Sequence, residues 1–353
     1  MTIIFAILLF SFLIFIHELG HFATAKMSGV QVNEFSVFMG PAIWKKQIGE
    51  TLYAIRCIPI GGYCAMEGEN EDTDNPRSFM KAAWWKKVII LAAGSFMNFI
   101  TGLALLLIVV APAQQFVVPV IDSFEQGCTL NREDGLREGD RFLELDGEKI
   151  YVHSNFSTLL SLNPGEVHDI VLERDGKKVY LDDFRMETHA FPNEDGTTSE
   201  RFGFAFSLED ATFGNKLQYV WATAVDTVRT VRLSLQMLLT GQAGLKDMAG
   251  PVGIVQMMSN TAAASPSTQA AMMNMLFFGA FIAINLAVMN MLPIPALDGG
   301  RIFGLAVTAV IEAITRKKLD PKYEMYIHGA GMVLLLGLMA VILFKDIFTI
   351  FKG

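Results

Sequence analysis

The residues best suited to chemistry lie near the amino terminus, in the run His17-Glu18-Leu19-Gly20-His21. On a helix, His17 and His21 are four residues apart, so both imidazoles project from one face. Two neutral imidazoles at this spacing can bind Zn²⁺, and Glu18 stands beside them to accept a proton from a water that the metal activates. The pattern therefore predicts a zinc-dependent hydrolytic centre.

Catalytic zinc usually has three protein ligands and one open position, so a third ligand must come from elsewhere in the chain. The best candidate is Asp298, which ends the run Asn290-Met-Leu-Pro293-Ile-Pro295-Ala-Leu-Asp298 and precedes two glycines. Those glycines permit a close approach of the backbone. The alternative role for Asp298 is a cap on the next helix, and this segment alone does not choose between the two.

The elements that position these residues follow from the distribution of charge. Of 353 residues, 52% are hydrophobic and 18% are charged, against about 25% charged in soluble domains. This composition excludes a disordered chain and argues against a soluble enzyme, while a net charge of −8 argues against a nucleic-acid partner. Four stretches carry no Asp, Glu, Lys or Arg and are each predicted to span a membrane: 1–16, 88–110, 272–292 and 325–344.

Basic residues predict the orientation of these spans, because they favour the cytoplasmic side. Eight lysines and arginines lie between spans one and two, and five follow span three. Both connections are therefore expected in the cytoplasm, with the amino terminus, the carboxyl terminus and the long 111–271 segment outside. The chain is expected to divide into a first membrane half (1–113, with the cytoplasmic loop 26–87), a soluble insert (114–208) and a second membrane half (209–353).

The insert 114–208 is predicted to be β-rich, with Asp-Gly turns at Asp146-Gly147 and Asp175-Gly176 between strand-like runs. After it, residues 215–241 have helical spacing of apolar residues interrupted by charges. This segment is either a helix on the membrane surface or a fifth span.

The number of spans links the predicted surface helix to the predicted third ligand, because it decides which helix ends lie on the same side of the membrane. With four spans, the histidines and Asp298 meet on one side of the membrane. A fifth span would separate them by about 30 Å. The surface helix and the third-ligand role are therefore predicted together. Fourteen residues of helix before the motif, about 21 Å, place the metal within the bilayer, nearer its cytoplasmic face.

These motifs together resemble the site-2 protease family of intramembrane zinc proteases, most closely its bacterial regulator-of-sigma-E protease type with a single PDZ domain. The resemblance rests on HELGH in the first span, NMLPIPALDGG after the third and a PDZ-like pattern in the insert, and it covers nearly the whole chain. Departures from the family pattern occur at Phe38, Ser95 and Cys64-Ala65, and none is a predicted metal ligand. Further matching segments are 35–41, 59–63, 94–99, 250–253, 135–140 and 145–147.

The resemblance implies a polytopic α-helical membrane protein of the bacterial cytoplasmic membrane, with four transmembrane helices, a membrane-associated hairpin-like loop and an extracytoplasmic PDZ-like domain. It implies Glu18 as the catalytic base and His17, His21 and Asp298 as zinc ligands. The implied substrates are single-span membrane proteins that an upstream site-1-type protease has already trimmed, such as anti-sigma factors, and signal-peptide remnants. These are cleaved within the lipid bilayer.

Substrate contacts are expected from the cytoplasmic loop and from the third span. Segments 31–37 and 51–58 are predicted to be strands, and Gly61 and Gly62 follow the second of them. Such a loop either offers an edge strand to an unwound substrate or is an ordinary hairpin. The resemblance implies that Asn290 holds the substrate backbone or the oxyanion, the alternative being a hydrogen bond between helices. Pro293 and Pro295 most simply end the third span and shape the Asp298 loop, with direct substrate contact second.

Two functional questions remain open from the sequence, one about the PDZ-like domain and one about the whole chain. The PDZ-like domain either recruits a carboxyl terminus or excludes bulky substrates. The whole chain is a protease, a non-catalytic zinc-containing PDZ scaffold or a membrane zinc hydrolase acting on lipids or small molecules. Glu18 argues against the scaffold, since a scaffold needs no base beside the zinc ligands.

Overall fold

The computed structural model describes residues 2–69, 73–193, 197–244, 246–317 and 322–352. Within these ranges, four helices are long and apolar enough to cross a membrane: Ile3–Met27, Trp84–Val110, Thr268–Asn290 and Met325–Thr349. They belong to helices α1 (Thr2–Met27), α2 (Trp84–Val110), α6 (Thr268–Asn290) and α8 (Lys322–Lys352). The four-span prediction is confirmed at this level, because the same four stretches of sequence form these helices.

The chain divides into two compact units, one comprising Met1–Val109 with Thr227–Gly353 and the other Val110–Asp226. The first unit also contains the shorter helices α5 (Pro251–Ala263) and α7 (Asp298–Thr315). One core of this unit joins α1, α5 and α6, through buried residues Ala6, Leu9, Leu13, Met258, Ile282 and Ala283. This packing fixes the helix that carries the two histidines.

Two long bent strands, β1 (Val32–Ile48) and β2 (Thr51–Met66), form the predicted loop between α1 and α2. Residues 34–37 are in register both with 62–65 and with 52–55, while residues 44–48 are in register with 51–55. Each strand therefore folds back on itself, with several register shifts and with positive φ angles at Phe38, Gly40 and Gly61. The strands are longer than predicted because pairing continues past the glycine positions. Segment 62–66 pairs with residues 32–37 along one edge.

The second unit contains the predicted β-rich domain. Its main sheet has the order β10-β3-β4-β6-β7, β5 pairs with β4, and β8 and β9 form a separate pair. Both predicted Asp-Gly turns occur, with positive φ at Asp146, Gly147, Asp175 and Gly176. The elements are β3 (Gln115–Phe124), β4 (Arg141–Leu145), β5 (Glu148–Lys149), α3 (Ser154–Leu162), β6 (Val167–Arg174), β7 (Lys177–Arg185), β8 (His189–Pro192), β9 (Thr198–Arg201) and β10 (Phe204–Asp210). Its core is built on fully buried Phe142, Leu145, Ile170 and Leu172.

The segment after the β domain is one helix, α4 (Phe213–Thr240). With 28 residues it is long enough to cross a membrane, but it is not among the four described helices that are also apolar enough to do so. Near its start, Tyr219 stacks on Phe116 of β3, with ring centroids 4.5 Å apart. The helix exists as expected, and its position on the membrane surface stays a prediction.

Candidate metal centre and catalytic cavity

Three potential metal ligands converge within the first unit. The Nε2 atom of His17 lies 3.1 Å from Oδ2 of Asp298, and Nε2 of His21 lies 3.4 Å from the same oxygen. The two Nε2 atoms are 3.1 Å apart. One ligand atom from each residue lies within 4.8 Å of the others, and all three residues are largely buried. Two imidazoles and a carboxylate around one point are a donor set that catalytic zinc commonly uses.

The histidine rings are packed against the second membrane helix through two glycines. A Cβ atom on Gly94 would lie 2.5 Å from Nε2 of His21 and 2.8 Å from Nε2 of His17. A Cβ on Gly20 would lie 2.5 Å from the carbonyl oxygen of Ala93. Side chains at these positions would push α1 and α2 apart. In the sequence, Gly94 belongs to segment 94–99, which matches the family pattern. Its contact with the histidine rings can be recognised only from the structure.

The remaining ring nitrogens have partners of their own. Nδ1 of His21 lies 2.8 Å from the Ile90 carbonyl oxygen, which can only accept a hydrogen bond. The proton of a neutral His21 is therefore on Nδ1, and its Nε2 lone pair faces Asp298 and His17. Nδ1 of His17 lies 3.4 Å from the amide nitrogen of buried Asn98. The contact with the Ile90 carbonyl holds the His21 ring in the orientation that metal binding requires.

Asp298 reaches the histidines because of the loop before α7. The N-cap of α7 is Leu297, and Asp298 is the first helical residue, with its side chain directed at His17 and His21. The N-cap alternative for Asp298 is therefore wrong. A Cβ on Gly299 would lie 2.2 Å from the Met291 carbonyl oxygen, and one on Gly300 would lie 2.0 Å from that of Ile294. The two glycines thus permit the tight loop that brings Asp298 to the site.

Glu18 lies beside the three ligands in a cavity of about 680 Å³. Cys64 of β2 lines the same cavity as Glu18. Residues from α1, α6, α7 and the end of β2 line the cavity, and Asn290 is one of them. Consecutive residues Tyr63, Cys64, Ala65, Met66, Glu67, Gly68 and Glu69 form one wall. The predicted base and one predicted substrate contact therefore share a space with the metal cluster.

The other predicted substrate contacts lie at varied distances from this cavity. A Cβ on Gly62 would lie 3.8 Å from Cγ of Glu18, so Gly62 is next to the base. Gly61 has a positive φ and packs near Met39 instead. Pro293 and Pro295 line a different cavity, of about 600 Å³, with residues of α7 and the start of α8. Of these four, only Gly62 lies next to Glu18, the predicted base.

A helical membrane unit that brings an HExxH helix and a distant carboxylate to one buried point defines a membrane metallopeptidase. The chain belongs to peptidase family M50, the site-2 protease family, whose family model matches residues 5–338. It is a zinc metalloprotease of this family.

Several similar proteins align with nearly the whole of this chain. A protein of Clostridium perfringens named as a zinc metalloprotease is 35% identical over 348 residues, covering 98% of both chains. One from Fusobacterium nucleatum, also named as a zinc metalloprotease, is 31% identical over 367 residues and covers all of both. The regulator of sigma-W protease of Bacillus subtilis is 27% identical over 435 aligned positions, covering 99% of each.

Proposed function

We propose that this protein hydrolyses peptide bonds within the transmembrane segments of single-span proteins that a site-1-type protease has already trimmed. The substrate classes are membrane-anchored anti-sigma factors and signal-peptide remnants. The observation that carries the proposal is the shared cavity, which is lined by the metal cluster, Glu18 and the end of strand β2. The name of the Bacillus subtilis relative, regulator of sigma-W protease, supports a role in sigma-factor control.

His17, His21 and Asp298 would hold the zinc ion, and their donor atoms are close enough to do so. Bound zinc supplies Lewis-acid polarisation of the scissile carbonyl and makes a water more acidic. The hydrogen bond from His21 Nδ1 to Ile90 keeps the opposite nitrogen available for the metal.

Glu18 is the general base in this proposal. Its carboxylate accepts the proton of the attacking water and then passes that proton to the amide nitrogen of the leaving peptide. The packing of Glu18 against Gly62 of β2 holds the carboxylate beside the ligands. A non-catalytic scaffold would have no use for this arrangement.

The substrate must be unwound before attack, because a helix buries its carbonyl groups in its own hydrogen bonds. Unpaired backbone groups in lipid are costly, so the enzyme must supply new partners. Segment 62–66 supplies them in this proposal: it pairs with residues 32–37 on one edge, while residues 63–66 also line the catalytic cavity. The substrate adds as a further strand there, and the side-chain amide of Asn290 binds its backbone or the oxyanion.

The proposed topology follows from the basic residues and from the meeting of the two metal motifs. Loop 26–87 and the segment after span three face the cytoplasm, whereas the amino terminus, the insert 114–208 and the carboxyl terminus face outside. The metal then lies inside the bilayer, nearer the cytoplasmic face. Cysteine accessibility at Cys57, an exposed native thiol of the loop, provides a direct test of its side.

The proposed activity is tested with a tagged single-span substrate in proteoliposomes. We expect the wild type to cleave it and Glu18→Gln to lose at least about a thousandfold in rate while retaining zinc. Glu144→Gln, in the β domain, is the matched control and should cleave normally. Equal cleavage by Glu18→Gln and wild type would overturn the mechanism, and zinc binding without any cleavage would favour the scaffold.

The insert is proposed to be a PDZ-like domain that acts on substrate selection, by recruiting trimmed carboxyl termini or by excluding intact substrates. Deletion of residues 114–208 separates the two roles. Cleavage of untrimmed substrate by the deletion variant would support exclusion, and loss of cleavage of trimmed substrate would support recruitment.

A further inference from the structure

An ion pair connects the two walls of the catalytic cavity. One wall is the end of β2 and the following loop, up to Glu69; the other is the start of α7, with Asp298 and Arg301. Arg301 follows Asp298 by three residues, so both side chains lie on one face of the first turn. Nη1 of Arg301 donates to the Glu69 carboxylate, and Nη2 donates to the Glu69 carbonyl oxygen at 3.1 Å.

The Arg301 guanidinium is held by more than this pair. It lies over the ring of Phe79, 5.7 Å from the centroid. Phe79 is only 3% exposed and belongs to a core cluster with Cys64 and Met66 of β2. Contacts with a carboxylate, a carbonyl and an aromatic ring restrict the conformation of the Arg301 side chain, so it is already ordered without substrate.

Glu69 is in turn connected to the strand itself. Its Oε2 atom accepts a hydrogen bond from the backbone N–H of Met66, at 3.4 Å. Both side chains of the ion pair are about one-fifth exposed, so the pair is more protected than an ordinary surface salt bridge. One carboxylate therefore joins the end of segment 62–66 to the helix that begins with a metal ligand.

We propose that the Glu69–Arg301 ion pair is a positioning device that sets the spacing between segment 62–66 and Asp298. This inference rests on the proposed function, in which segment 62–66 carries the unwound substrate. The two residues bind no metal and transfer no proton. They act on the distance between the substrate carbonyl and the metal ligands, and a misplacement of about 1 Å there costs about a hundredfold in rate.

The test uses the full-length protein in proteoliposomes, with the variants Glu69→Gln, Arg301→Gln and the double variant Glu69→Gln/Arg301→Gln. We expect each single variant to lower kcat about 10- to 100-fold, with KM changed far less and zinc stoichiometry unchanged. The double variant should lose no more than about the worse single variant, because both residues act through one contact. Arg77→Gln and Glu50→Gln break a more exposed ion pair outside the cavity and should cleave normally.

Three outcomes would overturn the inference: single variants with wild-type kcat, loss of activity that parallels loss of zinc, or a double variant whose loss equals the product of the two single losses. If the glutamine variants fail to fold, Arg301→Lys replaces them, because it keeps the positive charge but lacks the guanidinium group that donates to two acceptors of Glu69. It should then show reduced kcat with a normal melting temperature. Failure of the proposed function is distinguishable from failure of this inference, because the wild type itself would then be inactive.

Discussion

The backbone carbonyl oxygen of Ile90 lies 2.8 Å from Nδ1 of His21, on the opposite side of the ring from Asp298. Ile90 is on α2 and His21 is on α1, so the packing of two membrane helices decides which nitrogen faces the metal centre. Because the acceptor is a backbone atom, no single side-chain substitution removes this contact. The α1–α2 packing can instead be disturbed at the glycines.

Gly94→Ala is expected to damage the metal centre directly. The new methyl group would lie 2.5 Å from Nε2 of His21 and 2.7 Å from Cε1 of His17, so the rings must move. We expect zinc affinity to fall at least about tenfold. The measurement is a zinc competition titration with a chromophoric chelator. Gly337→Ala, in open space on α8, is the control, and unchanged zinc affinity in Gly94→Ala would contradict this packing.

Asn98 is expected to orient His17. Nδ1 of His17 must carry the proton if Nε2 binds zinc, so its partner must be an acceptor. The Asn98 Oδ1 atom is buried without a hydrogen-bond partner, and rotation of the amide would direct it at Nδ1. Asn98→Leu should therefore weaken zinc binding about 10- to 100-fold, as measured by the same titration. Asn98→Asp, an acceptor-only replacement, should largely retain it; equal losses in both variants would contradict the role.

The β domain is expected to depend on pH through Asp146. Partial burial raises the pKa of Asp146, but hydrogen bonds from His168, Asn163 and the backbone N–H of Asp169 outweigh it, so the pKa lies below its ordinary value. Its stabilising contribution is therefore complete above the unfolded-state pKa of about 3.9 and is lost as the pH falls through the lower folded-state pKa.

The measurement for Asp146 is hydrogen exchange of segment 140–185 in the full-length protein, corrected for intrinsic rates, between pH 7 and pH 3. Wild type should keep its protection to below about pH 4 and then lose it. Asp146→Asn should be less protected throughout, with a flatter pH dependence. Asp182→Asn, on an exposed position of β7, is the control; a wild-type profile in Asp146→Asn would contradict the assignment.

The sequence predicted the local part of the site well, because the HExxH spacing needs only one helix to bring His17, Glu18 and His21 together. Asp298 could be found from span parity, since the number of crossings determines which helix ends meet. The contacts of Gly94, Ile90 and Asn98 with the rings could not be derived, because they depend on the rotation of α2 against α1. The Glu69–Arg301 pair joins residues 232 positions apart, and no periodicity indicates such a partner.

The proposed cleavage of peptide bonds inside a membrane-spanning segment is tested most directly by mass spectrometry of the products from a zinc-loaded, reconstituted wild-type enzyme and a single-span substrate. We expect a new terminus within the apolar segment of the substrate, absent with Glu18→Gln and after zinc chelation. Cleavage confined to the soluble flanks, or an intramembrane cut that persists in Glu18→Gln, would contradict it.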